Sequence, residues 1–381
     1  MAGVALRFAA SFGEERYALL ELDDGLLETI LAGGVTVKGE DGDEACLCTP
    51  TCTYVMRMAE SSNTQYLLPG TVGADDVPGV VAASVATYFE LKPTVPRLVK
   101  LRRLLSKRKY DGFDDAAAPN SAADWGGAQD AKRLTTDALR SAVQCSDAQL
   151  DEALVAMHAV ELQGEWRLLG ITYRHQITEY VLKLIELHGW ERERVRVADV
   201  LEQSAADFPD FAPQAVRHCL YALDTVSPPA STARALDAEG SVTLDERKVA
   251  VFHGENMLRE QKRWRSDDFF AGWRAVAPEG VELELSMLRG IAVEVDGGTE
   301  QGDKQQLKHV QWLPPDSLPT GTKQRLTSLF NVKPVWTLDE MSVYLDDVLE
   351  HEVGRTAEQI LIQHACQMKA ANGETVFQQR V

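Results

Sequence analysis

Residues 134–170 constrain the fold more than any other stretch, because two helix starts and a hairpin are written into one short run. Thr135 can cap a first helix, with Leu134 before it and Leu139 inside it forming a hydrophobic staple that sets the direction in which the chain arrives. Ser146 followed three residues later by Gln149 is a capping box. The hydroxyl accepts from the backbone N–H of Gln149, and the Gln149 side chain reaches back to the backbone of Ser146. Leu150, Leu154 and Met157 then give that helix an apolar face at i, i+4, i+7 spacing. Val160, Leu162, Trp166 and Leu168 alternate around Gly164 as two short strands and a turn. Helix, turn, helix, hairpin is the order of a winged helix.

The same order recurs near the C-terminus. Thr337 with Glu340 and Thr356 with Gln359 are two further capping boxes. Ile360 and His364 stand where Leu150 and Leu154 stood, and the last helix is expected to run on through Gln363, Gln367, Met368 and Lys369 before Gly373 and a strand at 374–379. Repetition in matching order marks a tandem array. Residues 176–188, 195–203, 211–223 and 242–244 predict a second helix-helix-wing pattern. A third, looser one occupies 248–264, 266–276, 281–288, 291–295 and 307–313, with an Asp296-Gly297-Gly298 turn and a polar loop at 298–305. Modules are therefore expected at 93–170, 171–247 and, as one or two more, 248–381.

Ahead of them, residues 1–92 read as short strands at 17–22, 34–38, 45–47, 53–58, 65–68 and 80–91. A single helix, capped by Asp23 or Asp24 and ended by Gly33-Gly34, interrupts the set. Many short strands without long helices between them point to a partial barrel, so the expected class is α+β, a β-rich partial barrel followed by winged helices. Five basic residues against fourteen acidic ones in this domain disfavour DNA and favour a protein partner.

With 381 residues, 45% of them hydrophobic, the chain can bury several cores, and its net charge of −19 opposes contact with nucleic acid except at a local basic patch. One such patch exists, the run RLVKLRRLLSKRKY at 97–110, read as a helix with Leu98, Leu101 and Leu105 buried. Removing its seven positive charges from the net −19 leaves −26 on the rest. Arg97, Lys100, Arg103, Lys107, Arg108 and Lys109, with Lys369 and Arg380 in the last module, are the candidate nucleic-acid contacts. A solvated helix face or a nuclear-localisation run is the simpler explanation of the same charges. Asp147, Asp151 and Glu152 argue against DNA contact by the first capped helix. Residues 116–130 and 227–234 read as loops.

Chemistry is not indicated. No run reaches the ~20 apolar residues of a membrane span, and no signal peptide is recognisable, so an intracellular setting without membrane contact is expected. Six scattered cysteines and the absence of glycosylation sequons fit reduced thiols. Cys46, Cys48 and Cys52 lack a second ligand pair and read as strand cysteines. Phosphate-binding glycine loops are missing, and His351-Glu352 lacks the second histidine of a zincin because position 355 is Arg. No catalytic residue, cofactor or metal is expected.

Several separated segments together resemble the Dcc-type sister chromatid cohesion proteins, accessory subunits of the Ctf-type alternative replication factor C clamp loader. They are LLELD at 19–23, TYVMRMAESSN at 53–63 followed by Leu67-Leu68-Pro69-Gly70, residues 100–112 and 134–169, residues 278–288 opening on Pro-Glu-Gly, and residues 330–344 around Trp336. The resemblance implies that the β-domain pairs with a small Ctf partner and the C-terminal end of the large Ctf ATPase, with Tyr54, Arg57 and Asn63 as partner-binding candidates. It further implies a nuclear protein working with the small replication factor C subunits, whose winged helices reach polymerase epsilon and, in a weak and salt-sensitive way, DNA. ATP hydrolysis and loading of the sliding clamp PCNA would belong to other subunits. Without the resemblance, the residues equally suit a cytoplasmic scaffold of tandem winged helices in membrane trafficking or a ubiquitin ligase.

Overall fold

The computed structural model describes residues 6–13, 17–39, 44–68, 79–112, 133–226, 240–297, 307–349, 356–370 and 373–380. The loops expected at 116–130, 227–234 and 298–305, His351-Glu352 and the Pro69-Gly70 pair lie outside them. The fold is mixed α+β, with twelve α-helices and six sheets among the described residues, one sheet curled as a half-barrel. One compact unit takes the elements up to Leu101 together with the helices Thr136–Ala142 and Asp147–Ala156. The other takes Lys109–Tyr110 and everything described from His158 onward.

In the first unit the half-barrel has five strands in the order Leu20–Glu21, Ala83–Pro93, Thr53–Leu67, Cys46–Cys48, Thr36–Lys38. The helix Asp24–Leu31 is capped by Asp23, whose carboxylate accepts from the Leu26 N–H at 2.7 Å. The sequence separates strands at 53–58 and 65–68, but Thr53–Leu67 is one strand of 15 residues. Its polar AESSNT stretch is absorbed by a register shift between Glu60 and Gln65 opposite Ala83–Pro93. Strand pairing across the sheet overrides a composition that locally favours a turn.

The barrel end is closed by residues 144–149. Lys38 Nζ donates to the Cys145 carbonyl at 2.7 Å, the Ser146 N–H to Thr53 Oγ1 at 2.9 Å, and Thr53 Oγ1 to Gln149 Oε1 at 2.6 Å. The capping box at Ser146 therefore serves two purposes, starting Asp147–Ala156 and anchoring the first residue of the long strand. Cys46, Cys48 and Cys145 are free thiols buried in this unit, and burial pushes the Cys145 thiol up to about 12.

Across the rest of the chain one element order repeats. A helix leads to a short strand, two helical segments and two more strands, with the last strand central in three of the four sheets. Near the C-terminus these are Thr322–Val332, Val335–Thr337, Leu338–Leu349, Ala357–His364, Ala365–Lys369 and Thr375–Gln379. Upstream they are Glu246–Glu260, Arg263–Arg265, Ser266–Val276, a 3-10 turn Leu285–Leu288, Ala292–Asp296 and Lys308–Trp312. Ile171–His188, Val195–Arg196, Val197–Asp207 and Pro213–Ala222 precede Ser241–Val242, which pairs with Val195–Arg196, while Asp224 bridges to Leu244 as a minimal middle strand. Ile171–His188 begins five residues before the expected 176, because the apolar run through Tyr173 and Ile177 continues its buried face. The earliest copy departs in one respect: Lys109–Tyr110 runs parallel to Glu165–Leu169, where later first strands run antiparallel. Its hairpin turns at Gln163 (φ 53°) and Gly164 (φ 79°), the paired positive φ of a tight two-residue turn.

Neighbouring copies share cores. Val293, Val295 and Leu313 pack with Trp336, Tyr344 and Phe377. Tyr110, Val160 and Leu169 join the cluster built on Ile177, Val181 and Leu220. Arg325, only 2% exposed, donates to the carbonyls of Pro319 and Tyr344 at 2.7 Å and of Pro315 at 3.3 Å, closing a loop with a cation where an apolar side chain could not satisfy the backbone.

Candidate functional site

The half-barrel carries the clearest unsatisfied surface. Its two central strands are long and its edge strands short. Leu20–Glu21 covers only Phe89 and Glu90, and Cys46–Cys48 covers only residues 53–55. Among the described residues, 57–67 and 83–90 pair with each other, interrupted between Glu60 and Gln65, and the stretch 83–88 opposite 59–67 has no strand on its other side, a two-stranded ribbon about 20 Å long by strand geometry. Two-stranded ribbons are marginal in water, and open edges invite a further strand.

Exposed apolar groups mark the same region: Met58 is 67% and Tyr66 50% exposed. The small parallel sheet of Leu6–Phe8 with Gly79–Val81 adds Phe8, 61% exposed, which meets Phe12 edge-on at 4.6 Å and Tyr66 at 6.3 Å. Single exposed apolar residues are ordinary, but an aromatic cluster beside open strand edges is the anatomy of an interface.

Of the sequence candidates here, Tyr54 and Arg57 sit three residues apart on one strand and so face opposite sides of the sheet. Tyr54 is half-buried opposite Leu47 and Pro93, and burial raises its phenol above the usual value, with Cys52 and Asp23 adding to the shift. Arg57 is exposed opposite Glu90. Asn63 lies in the irregular part of the strand, its N–H donating to Ser61 Oγ at 3.3 Å. The three do not form one cluster. Phe8, Met58 and Tyr66 were missed in the sequence because exposure of an apolar strand residue depends on which neighbours the sheet lacks.

The basic run is not one helix. The helix covers Val99–Ser106 only, with Leu101 and Leu105 buried. Lys107 and Arg108 form a turn, and Lys109 enters the strand Lys109–Tyr110, where pairing with Leu168 and Leu169 imposes extended backbone. Arg97 precedes the helix and is committed to Glu44 at 2.9 Å and Gln144 at 3.3 Å. Lys100 is half-buried, Arg103 and Lys107 are exposed, and Arg108 faces Glu165 at 3.8 Å. The seven charges thus divide among a strut, a helix face and a strand.

At the other end the helix expected to carry Gln367 and Lys369 stops at His364, and both residues lie on Ala365–Lys369. Ala, Gln, Met and Lys are good helix formers, so the local sequence misleads. Antiparallel pairing with Thr375–Gln379 decides the conformation. Lys369 Nζ donates to Thr375 Oγ1 at 2.8 Å across that hairpin, and Arg380 Nη1 to the Gln363 carbonyl at 3.0 Å. Both side chains are exposed at the hairpin's edges, so the structure brings Lys369 and Arg380 onto one module.

A family model described as sister chromatid cohesion protein Dcc1 matches residues 17–345. Sister chromatid cohesion protein DCC1 of Xenopus laevis is 27% identical over 388 aligned positions, covering 98% of this chain and 92% of the frog protein. The Homo sapiens protein of that name is 23% identical, covering 87% of this chain and 81% of its own length. The probable sister chromatid cohesion protein DCC1 of Dictyostelium discoideum is 21% identical, with 98% and 96% covered. The matched span includes both the half-barrel and the greater part of the repeated array, so the chain belongs to the family of the sister chromatid cohesion protein Dcc1.

Proposed function

We propose that this protein acts in sister chromatid cohesion as a non-catalytic, nuclear subunit of an alternative clamp loader. It helps the loader place PCNA on DNA during replication and links the loader to DNA and polymerase epsilon. The half-barrel pairs with the small Ctf partner and the C-terminal end of the large Ctf ATPase, which add strands to the open edges of 57–67 and 83–88. The four repeats are winged-helix modules used as rigid blocks. The central position of the last strand in three of the four sheets, with two helical segments before the hairpin, supports that reading. The family's name supports the cohesion role.

One observation carries the proposal: a β-domain whose two longest strands, over 59–67 and 83–88, have no further strand beside them among the described residues, next to exposed aromatic residues. DNA contact is secondary and falls to Arg103, Lys107 and Lys109 on the first module and Lys369 and Arg380 on the last. Affinity purification of the full chain from nuclear extract tests the assembly. Recovery of the small replication factor C subunits is the expected result, and their absence under mild conditions removes the clamp-loader reading. DNA affinity should fall steeply as salt rises, through lost counterion release, and a flat salt response removes the electrostatic part.

A further inference from the structure

The array holds a cavity of about 420 Å³, a volume typical of small-molecule sites. It is walled by the helices Ile171–His188, Pro213–Ala222 and Glu246–Glu260, which supply Arg174, His175, Arg247, Lys248 and Glu255 among others, with His158 from the start of the preceding hairpin. Three permanent cations thus face a single carboxylate, inside a protein whose net charge is −19. Glu255 is already engaged by His175 Nε2 at 3.1 Å, and Lys248 Nζ is held by the Asp224 carbonyl at 2.5 Å.

The Arg174 guanidinium makes no hydrogen bond or ion pair among the described residues; burial chiefly, with the nearby Arg259 charge, pushes its pKa down, and the fields of Glu255, Cys219 and Asp316 oppose this. Arg174 is half-buried, so its charge is less well solvated than on an open surface, and no hydrogen-bonded counter-charge among the described residues answers it. The His175 ring stacks on Phe252 and leaves its buried Nδ1 unpartnered among the described residues. Arg247 and Lys248 stand in the first turn of a helix whose backbone N–H groups are already capped by the Asp245 carboxylate, so it is their side-chain charges that the cavity receives. His158 is held at φ 55°, a position that usually falls to glycine after a helix, with its Nδ1 3.0 Å from His218 Nε2. An anion in the cavity would balance the charges of Arg174, Arg247 and Lys248 together.

We propose that this cavity binds a small molecule bearing a phosphate group, with Arg174 as its main ligand and Arg247 and Lys248 at the rim. Phosphate oxygens match the planar donor fork of an arginine, and the volume exceeds what a bare phosphate needs, leaving room for an organic body. The site owes nothing to the half-barrel and is independent of which partners the protein has.

Calorimetric titration of the full chain with inorganic phosphate and, separately, with ATP, at ionic strength held constant with chloride, tests this. Saturable binding is expected, weakened at least about tenfold by Arg174→Gln and severalfold by Arg247→Gln, with Lys323→Gln unchanged. Arg247 is exposed, so its variant tests the site even if Arg174→Gln fails to fold. Histidine ring nitrogen signals of the unmodified protein should also shift on adding phosphate. Competition of ATP with phosphate for one site identifies a nucleotide-sized ligand, and binding of phosphate alone identifies a compact one. No saturable binding, equal binding by both arginine variants, or displacement of phosphate by a short DNA duplex would each overturn the proposal, the last by making the cavity part of a nucleic-acid surface.

Discussion

The half-barrel and the repeated array use short strands in opposite ways. In the array every short first strand is tied to a last strand, which is central in three of the four sheets, and large apolar groups behind are sealed: Trp273, Trp336, Phe269 and Phe377 have no exposed surface. In the half-barrel the short strands sit at the edges, the long ones stay uncovered, and Phe8, Met58 and Tyr66 face solvent. Small repeats that share cores with their neighbours are self-sufficient, whereas a sheet with open edges is incomplete by construction.

The array should therefore lose stability and not binding when its core is cut. Trp336→Ala removes a fully buried indole whose Nε1 donates to the Lys333 carbonyl at 2.6 Å, and urea unfolding should register a loss of about 3–5 kcal/mol. A loss under about 1 kcal/mol would mean the repeats do not depend on their cores.

The array should also be the acid-sensitive region. Burial, aided by the Arg174 charge, lowers His218 from 6.5 to about 4, and burial holds His158 well below its usual value. Both are neutral in the folded chain and take up protons on unfolding. Their contribution is complete above pH 6.5 and is lost as pH falls toward 4, on the order of 3 kcal/mol for His218. Urea midpoints measured across that range should fall toward acid, and His218→Phe should flatten the slope.

The half-barrel has one internal anchor that breaks the contrast if it is stronger than expected. Ser146→Ala removes the hydroxyl that caps Asp147–Ala156 while keeping the backbone N–H that donates to Thr53, and should cost about 1 kcal/mol. A much larger loss would show the sheet to be held by its own helices. The smallest stability effect belongs to the ribbon. Met58→Glu and Tyr66→Glu should change unfolding by less than about 0.5 kcal/mol, as exposed positions do, while abolishing capture of the Ctf partners.

How much of this was legible in the residues follows the range of the interactions. The caps at Ser146, Thr337 and Thr356 were readable because each depends on a side chain and a backbone three residues away, and all three boxes form. The element order of the repeats was readable for the same reason. Long-range pairing was not. It turned Gln367 and Lys369 from helix to strand, fused 53–58 with 65–68, and cut the basic run after Ser106. The pairing of Arg97 with Glu44, and of His158 with His218, joins residues too distant in the chain for any periodicity to reveal. Unfilled strand edges are the least legible of all, since they consist of neighbours that are missing among the described residues.

Amide hydrogen exchange on the full chain, alone and with the small Ctf partner and the C-terminal segment of the large ATPase, reaches this contrast directly. Residues 57–67 and 83–88 should exchange quickly alone and become protected in the complex, while Thr375–Gln379, central in its own sheet, should be protected in both states. A ribbon already protected in the isolated chain, or one whose exchange ignores the partners, would contradict the view that this sheet is completed from outside.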